Sequence, residues 1–179
     1  MFFISSEFKD RGISLLFSSK VLLGSFIKQS NIQPSFIHLD ATFKLIDLGL
    51  PLMDISTETI NHNFSPIAFF VTWSESIKNV KYMFKQLMDF YSEKMNTQFR
   101  PLYIMTDNCD ALISGCKQSF SHEYTHLSCH FHIGKRMREK AQGIKLKNVK
   151  FHIFFGLKLL KNACSLPFFQ KTWDIFFLF

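Results

Sequence analysis

Two aspartates close apolar runs in this chain, and a carboxylate at the end of a buried strand is placed for chemistry. The first run is Phe36-Ile37-His38-Leu39-Asp40-Ala41-Thr42-Phe43-Lys44, and the second is Leu102-Tyr103-Ile104-Met105-Thr106-Asp107. Each reads as a strand carrying one acid to its end. Two strands that deliver an Asp to the same edge of a sheet could hold a divalent cation between them. Oxygen donors of this kind suit Mg²⁺ or Mn²⁺, the ions of two-metal phosphoryl transfer on nucleic acid. Taken singly, each Asp also has a structural role open to it: Asp caps helices and starts turns, and Asp107 stands just before the helical pattern of Cys109-Asp110-Ala111-Leu112.

The elements that would position the acids follow from the pattern around them. After Asp40, Gly49 and Pro51 mark a turn, residues 52–57 form a second strand, and Ile67-Ala68-Phe69-Phe70-Val71-Thr72-Trp73 a third. Short turns between them make the three antiparallel neighbours. Thr72-Trp73-Ser74-Glu75 has the spacing of a capping box. The helix it would start, over about residues 75–95, carries apolar residues at Ile77, Val80, Phe84, Leu87, Met88 and Tyr91. That helix is a crossover, so the strand ending at Asp107 is parallel to its neighbour. Cys109, Leu112, Ile113, Cys116 and Phe120 recur at helical spacing with Gly115 a mild weakness, and the two Cys read as core. Residues 124–128 read as a fifth short strand. A basic helix with Lys135, Arg136, Arg138 and Lys140 follows, ending at Gly143.

Three antiparallel strands, helix, strand, helix, strand, helix is the order of a ribonuclease H-like fold: an α/β domain with a mixed five-stranded sheet and flanking helices. Residues 34–142 are expected to form it. Residues 1–33, with apolar residues at 13, 16, 17 and then 22, 23, 26 and 27, are a lead-in that packs on the domain as a strand or short helix followed by an amphipathic helix. Residues 143–179 are a basic, Phe-rich tail with a helical pattern at Val149, Ile153, Phe154, Leu157 and Leu160 and a break at Pro167. The apolar end from Ile175 to Phe179 is expected to pack against something, so the domain is expected to be truncated at its C-terminus.

Composition bounds the partners. The 179 residues are 47% hydrophobic, which excludes a disordered chain and gives one domain with a real core. The net charge of +7 is uneven: from Cys129 onward there are ten Lys or Arg against two acids, and before it eleven against twelve. A basic segment on a near-neutral domain fits a polyanion, nucleic acid first and an anionic membrane second, although a solvated Lys-rich helix face has the same composition. Cys109, Cys116, Cys129 and Cys164 lack secreted-type spacing, and no signal peptide or uncharged run of membrane-spanning length is present. An intracellular protein with reduced thiols is expected.

The strings Leu39-Asp40-Ala41-Thr42-Phe43-Lys44, Ser65-Pro66-Ile67-Ala68, Thr72-Trp73-Ser74-Glu75, Ile104-Met105-Thr106-Asp107 and Cys129-His130-Phe131-His132, in that order and spacing, resemble the transposase domain of Mutator-like elements, the MULE transposases. The resemblance covers roughly residues 36–140. It implies a DDE-type nuclease and strand transferase in which two Asp and a Glu bind two divalent metals, Mg²⁺ or Mn²⁺. It further implies DNA as partner, a nuclear location and no membrane, with a homo-oligomer as a further option. Carried over by position, Asp40 is the first acid and Asp107 the second, and the family's Cys-x-x-His element falls on Cys129 and His132. The third acid departs from the pattern. Glu139, between Arg138 and Lys140, is a weak candidate that reads as a surface charge, and Asp174 is a chance acid in the tail.

Cys129 and His132 could supply two zinc ligands, but a structural site needs four and no second pair with ligand spacing follows; Cys164 and His152 are candidates only if the chain folds back. Orienting the acidic site or packing near it is the preferred role. Three functions stay in view: a MULE transposase fragment that cleaves and joins DNA, a catalytically inactive domesticated DNA-binding or protein-interaction domain on the same scaffold, and a zinc-dependent binding module.

Overall fold

The computed structural model describes residues 2–9, 12–43, 49–59, 61 and 63–141. The tail pattern at residues 143–179, Gly143, Cys164, His152 and Asp174 lie outside the described residues. The chain divides into two compact units, Met1–Ser128 and Cys129–Phe179.

The first unit is an open mixed sheet with helices. In chain order its elements are β1 (Phe2–Lys9), β2 (Gly12–Ser18), α1 (Lys20–Ser30), β3 (Phe36–Thr42), β4 (Leu52–Glu58), β5 (Phe64–Thr72), α2 (Ile77–Met95), β6 (Tyr103–Thr106), α3 (Asp110–Ser119) and β7 (Thr125–Ser128). The strands lie in the order β1-β2-β5-β4-β3-β6-β7. The sheet is thus seven-stranded rather than five-stranded: the lead-in forms a hairpin whose β2 pairs antiparallel with β5 and extends the sheet. Pairing completes the backbone hydrogen bonds along the open edge of β5, which a packed helix would have left exposed. Within the rest of the sheet, β3, β4 and β5 are antiparallel neighbours, while β6 runs parallel to β3 and β7 parallel to β6.

Alternation along the strands sets the core. On β3, Ile37 and Leu39 are fully buried while His38 and Asp40 on the other face are only partly so. Ile37, Leu39, Met53, Ile55, Phe70 and Ile104 join Leu23 and Phe26 of α1, Val80, Met83, Phe84 and Leu87 of α2, and Leu112 and Cys116 of α3 in one cluster. The aromatic excess finds its use here. Phe26, Tyr91, Phe99, Phe120 and Phe84 form a chain of ring contacts with centroids 4.5 to 6.5 Å apart. Each such ring contributes about 2–3 kcal/mol through burial.

The start of α2 differs from the capping-box expectation. Ser76 is the N-cap, its side chain accepting from the Asn79 N–H, and the helix begins at Ile77. Thr72 cannot cap because it is the last residue of β5, fully buried, with its hydroxyl 3.3 Å from that of Ser14 on β2. The helix ends at Met95 as the pattern requires, with Asn96 in the left-handed conformation (φ 53°) as C-cap. The second unit contains α4 (His130–Ala141), the basic helix.

Gly115, a weakness by helix propensity, is a requirement of packing. A Cβ placed on it would sit 2.5 Å from Val80 Cγ1 and 2.6 Å from Val80 Cβ, so α3 lies directly against α2 there. Gly115→Ala is expected to destabilise the protein by about 1–3 kcal/mol in urea unfolding despite the better helix propensity of Ala. In a double-mutant cycle Val80→Ala should recover part of that loss, whereas additive losses would show that the two helices do not meet at this pair.

Candidate metal centre

Register brings the two predicted acids side by side. β3 and β6 pair Phe36↔Tyr103 through Leu39↔Thr106, so the next residues on the two strands are Asp40 and Asp107. Neighbouring strands are about 5 Å apart. Ser35 holds that register at the other end. It accepts the N–H groups of Leu102 and Tyr103 on its carbonyl at 2.8 and 3.0 Å and gives its hydroxyl to the Arg100 carbonyl at 2.9 Å.

Asp54 on β4 is a third acid, directly opposite Asp40 in the antiparallel pair. Its Oδ2 accepts the Ser56 hydroxyl at 3.2 Å, while its Oδ1 is buried with no hydrogen-bond partner among the described residues. Burial pushes the Asp54 carboxyl above its ordinary value, the Ser56 bond and His38 oppose this, and the Asp40 charge adds to it.

The turn after β6 is pinned from several sides. Asp107 Oδ1 accepts the Cys109 N–H at 2.9 Å, an Asx-turn bond. The N-cap of α3 is Cys109 rather than Asp107, and its side chain makes no capping bond. Asn108 takes φ 70°, the left-handed region that Asn tolerates best after Gly. Its N–H reaches Thr106 Oγ1 at 3.3 Å and its Oδ1 accepts the Ser128 hydroxyl at 2.8 Å. Thr106 Oγ1 in turn lies 2.9 Å from His126 Nε2, and burial lowers the His126 pKa, favouring the neutral ring.

Glu75, between β5 and α2, is the fourth acid. One ligand atom each from Glu75, Asp107 and Cys109 lie within 4.8 Å of one another. Glu75 Oε1 is buried without a hydrogen-bond partner among the described residues. Burial pushes the Cys109 thiol up, and its hydrogen bond to Glu75 adds to the shift against the pull of the Leu112 and Ala111 N–H groups.

Four carboxylates reach one sheet edge: from the ends of β3 and β6, the first half of β4 and the segment after β5. Two of their oxygens are out of water and unbonded, which leaves lone pairs that a hard cation satisfies. The donor set fits Mg²⁺ or Mn²⁺. Asp54 and Glu75 were not among the acids expected. Asp54 takes the outward position in the alternation Met53-Asp54-Ile55, where a polar residue is ordinary, and Glu75 was absorbed into the capping box that does not form.

The second unit holds the remaining candidates. Cys129 directly precedes α4 and accepts the Ile133 N–H on its carbonyl at 3.1 Å, and His132 lies in the first turn with its ring 5.4 Å from Phe131. Neither belongs to a close group of metal-ligating side chains among the described residues. Lys135, Arg136, Arg138, Glu139 and Lys140 are all exposed.

The sheet and its flanking helices define a mixed α/β domain with acids gathered at one end of the sheet. The MULE transposase domain model matches residues 36–136, more than half of the chain and both strand-end aspartates, and the chain belongs to that family. The family is transposase-related, which implies interaction with DNA and use of a divalent metal. No curated protein matches the chain. No helix among the described residues is long and apolar enough to cross a membrane.

The raised Asp54 carboxyl fixes a pH dependence. It binds its proton more readily folded than unfolded, so stability falls as pH rises through the range above 3.8, and the penalty stands in full at neutral pH. In EDTA, Asp54→Asn is expected to raise the melting temperature at pH 7 by about 2–4 °C, roughly 1 kcal/mol. The gain should shrink as the pH falls towards 3.8 and vanish below it, where both states are protonated. A loss at pH 7 would show that the carboxylate is stabilising instead.

Proposed function

We propose that this chain carries the catalytic core of a MULE-type DDE transposase, cleaving and transferring DNA strands in the nucleus on a ribonuclease H-like scaffold. The strand order β5-β4-β3-β6-β7, three antiparallel and two parallel, supports that scaffold, with β1 and β2 as an added edge hairpin. The observation that carries the function is the placement of Asp40 and Asp107 one residue beyond the last registered pair of adjacent parallel strands.

In this reading Asp40 and Asp107 hold Mg²⁺ or Mn²⁺ at the sheet edge. When bound, the ion supplies charge neutralisation at the phosphate and a more acidic water. The protein's part is to keep the carboxylates still. Ser35 sets the strand register, and the Asx-turn bond from Cys109 orients the Asp107 side chain. The exposed Lys135, Arg136, Arg138 and Lys140 of α4 contact the DNA backbone.

The assay is nicking of supercoiled DNA with Mg²⁺ or Mn²⁺. Asp40→Asn and Asp107→Asn are each expected to lower it on the order of 10³-fold, the loss of several kcal/mol of transition-state stabilisation. Unchanged rates would reject the assignment. A wild-type chain that binds DNA without nicking it would favour the domesticated DNA-binding domain.

DNA binding has its own test. Each of the four cations replaced by Ala is expected to reduce the slope of log affinity against log salt by about one. A slope that does not move would place the phosphate contacts elsewhere.

A further inference from the structure

We infer that Glu75 is a further carboxylate ligand of the divalent cation held at Asp107. The inference rests on the reading that the acidic edge takes Mg²⁺ or Mn²⁺, and adds to it a residue from a segment that carries neither strand-end aspartate.

Its backbone is clamped on both sides. Upstream, Thr72 is fully buried and gives its N–H to the Pro51 carbonyl at 3.1 Å. Downstream, Ser76 caps α2. Asn79 ties the two halves together: its Nδ2 reaches the Ser74 carbonyl at 2.7 Å and the Ser74 hydroxyl at 3.2 Å, and its N–H reaches Ser76 Oγ at 3.3 Å. A surface acid serving only solubility needs no such fixing.

The side chain is turned inward. A ligand atom of Glu75 lies within 4.8 Å of one of Asp107, close enough for a single ion to bridge them. A Glu75 ligand atom also lies within 4.8 Å of the Cys109 sulfur, and Glu75 Oε1 is buried with no hydrogen-bond partner among the described residues. Two carboxylates this close, one with a dry unbonded oxygen, repel each other unless a cation lies between them.

The test is Mn²⁺ titration of the full chain by calorimetry, with sensitised Tb³⁺ emission as a second readout, since exposed Trp73 lies two residues from Glu75. Asp107→Asn and Glu75→Gln are each expected to weaken Mn²⁺ binding at least about tenfold, with far-UV circular dichroism unchanged. Glu93→Gln, at an exposed acid paired with Lys94, should bind as wild type does. Wild-type affinity in Glu75→Gln with loss in Asp107→Asn would overturn the role of Glu75 and leave the strand-end aspartates as the site. Absence of Mn²⁺ binding by the folded wild type would overturn both readings. If Glu75→Gln does not fold, Glu75→Asp is read in its place: it keeps the charge but retracts it by one methylene, and wild-type affinity there also overturns the inference.

Discussion

The structure depends on the parallel pairing of β3 with β6. A parallel pair cannot be closed by a tight turn, so the chain must leave the sheet, cross one face and return. Here the departure is made through β4 and β5, and the return through α2. That helix has to lie on the sheet for its whole length, and its face of Val80, Met83, Phe84, Leu87 and Tyr91 accordingly forms much of the core. The close contact of Gly115 with Val80 follows, because α3 starts from the end of β6 and has only the space beside α2 to occupy. Ser35 and the carbonyl of Arg100 hold the start of the pair in register, which decides whether the two strand-end acids meet. A slip of one residue would send Asp40 to the core face, an error the buried Ile37 and Leu39 on that face oppose.

Gathering carboxylates at one edge works against folding, and the surroundings divide that cost between two kinds of solution. Asp107 has a backbone N–H on one oxygen and a pinned turn beneath it. Asp54 has one neutral donor, Ser56, and Asp54 and Glu75 each have one oxygen left dry. An acid meant only for a salt bridge would be given a basic partner. At Asp54 the hydrogen-bond donor is uncharged and His38 offsets part of the charge, yet burial keeps the carboxyl raised, so the edge stays attractive to a cation.

Sequence made the scaffold legible because each element has its own period. The buried alternation of β3 and the 3.6-residue repeat of α2 are visible in single stretches, and short turns against a long helix distinguish antiparallel from parallel neighbours. The hairpin of β1 and β2 was less visible, since apolar residues at 13, 16 and 17 fit a helix as well as a strand. Only pairing with β5 decides between them. The cap of α2 failed for a related reason. Thr72 and Ser76 are both good N-cap residues, and the choice falls on Ser76 because β5 claims Thr72 for its last buried position.

The site was half legible, and direction explains which half. On strands that run toward the acidic edge, β3 and β6, the functional residue comes at the end of the apolar run, which is the signal that identified Asp40 and Asp107. β4 runs away from that edge, so the acid it contributes must come near its start. Asp54 therefore looks like an ordinary outward residue of an alternating strand instead of its terminus. Glu75 belongs to no strand at all, and reaches the edge because β5 ends there and the cap at Ser76 delays the helix. In a mixed sheet, then, one edge is assembled from strand ends, strand beginnings and the residues between elements. A search for apolar runs that finish on an acid recovers the first of these, and the other two require the topology.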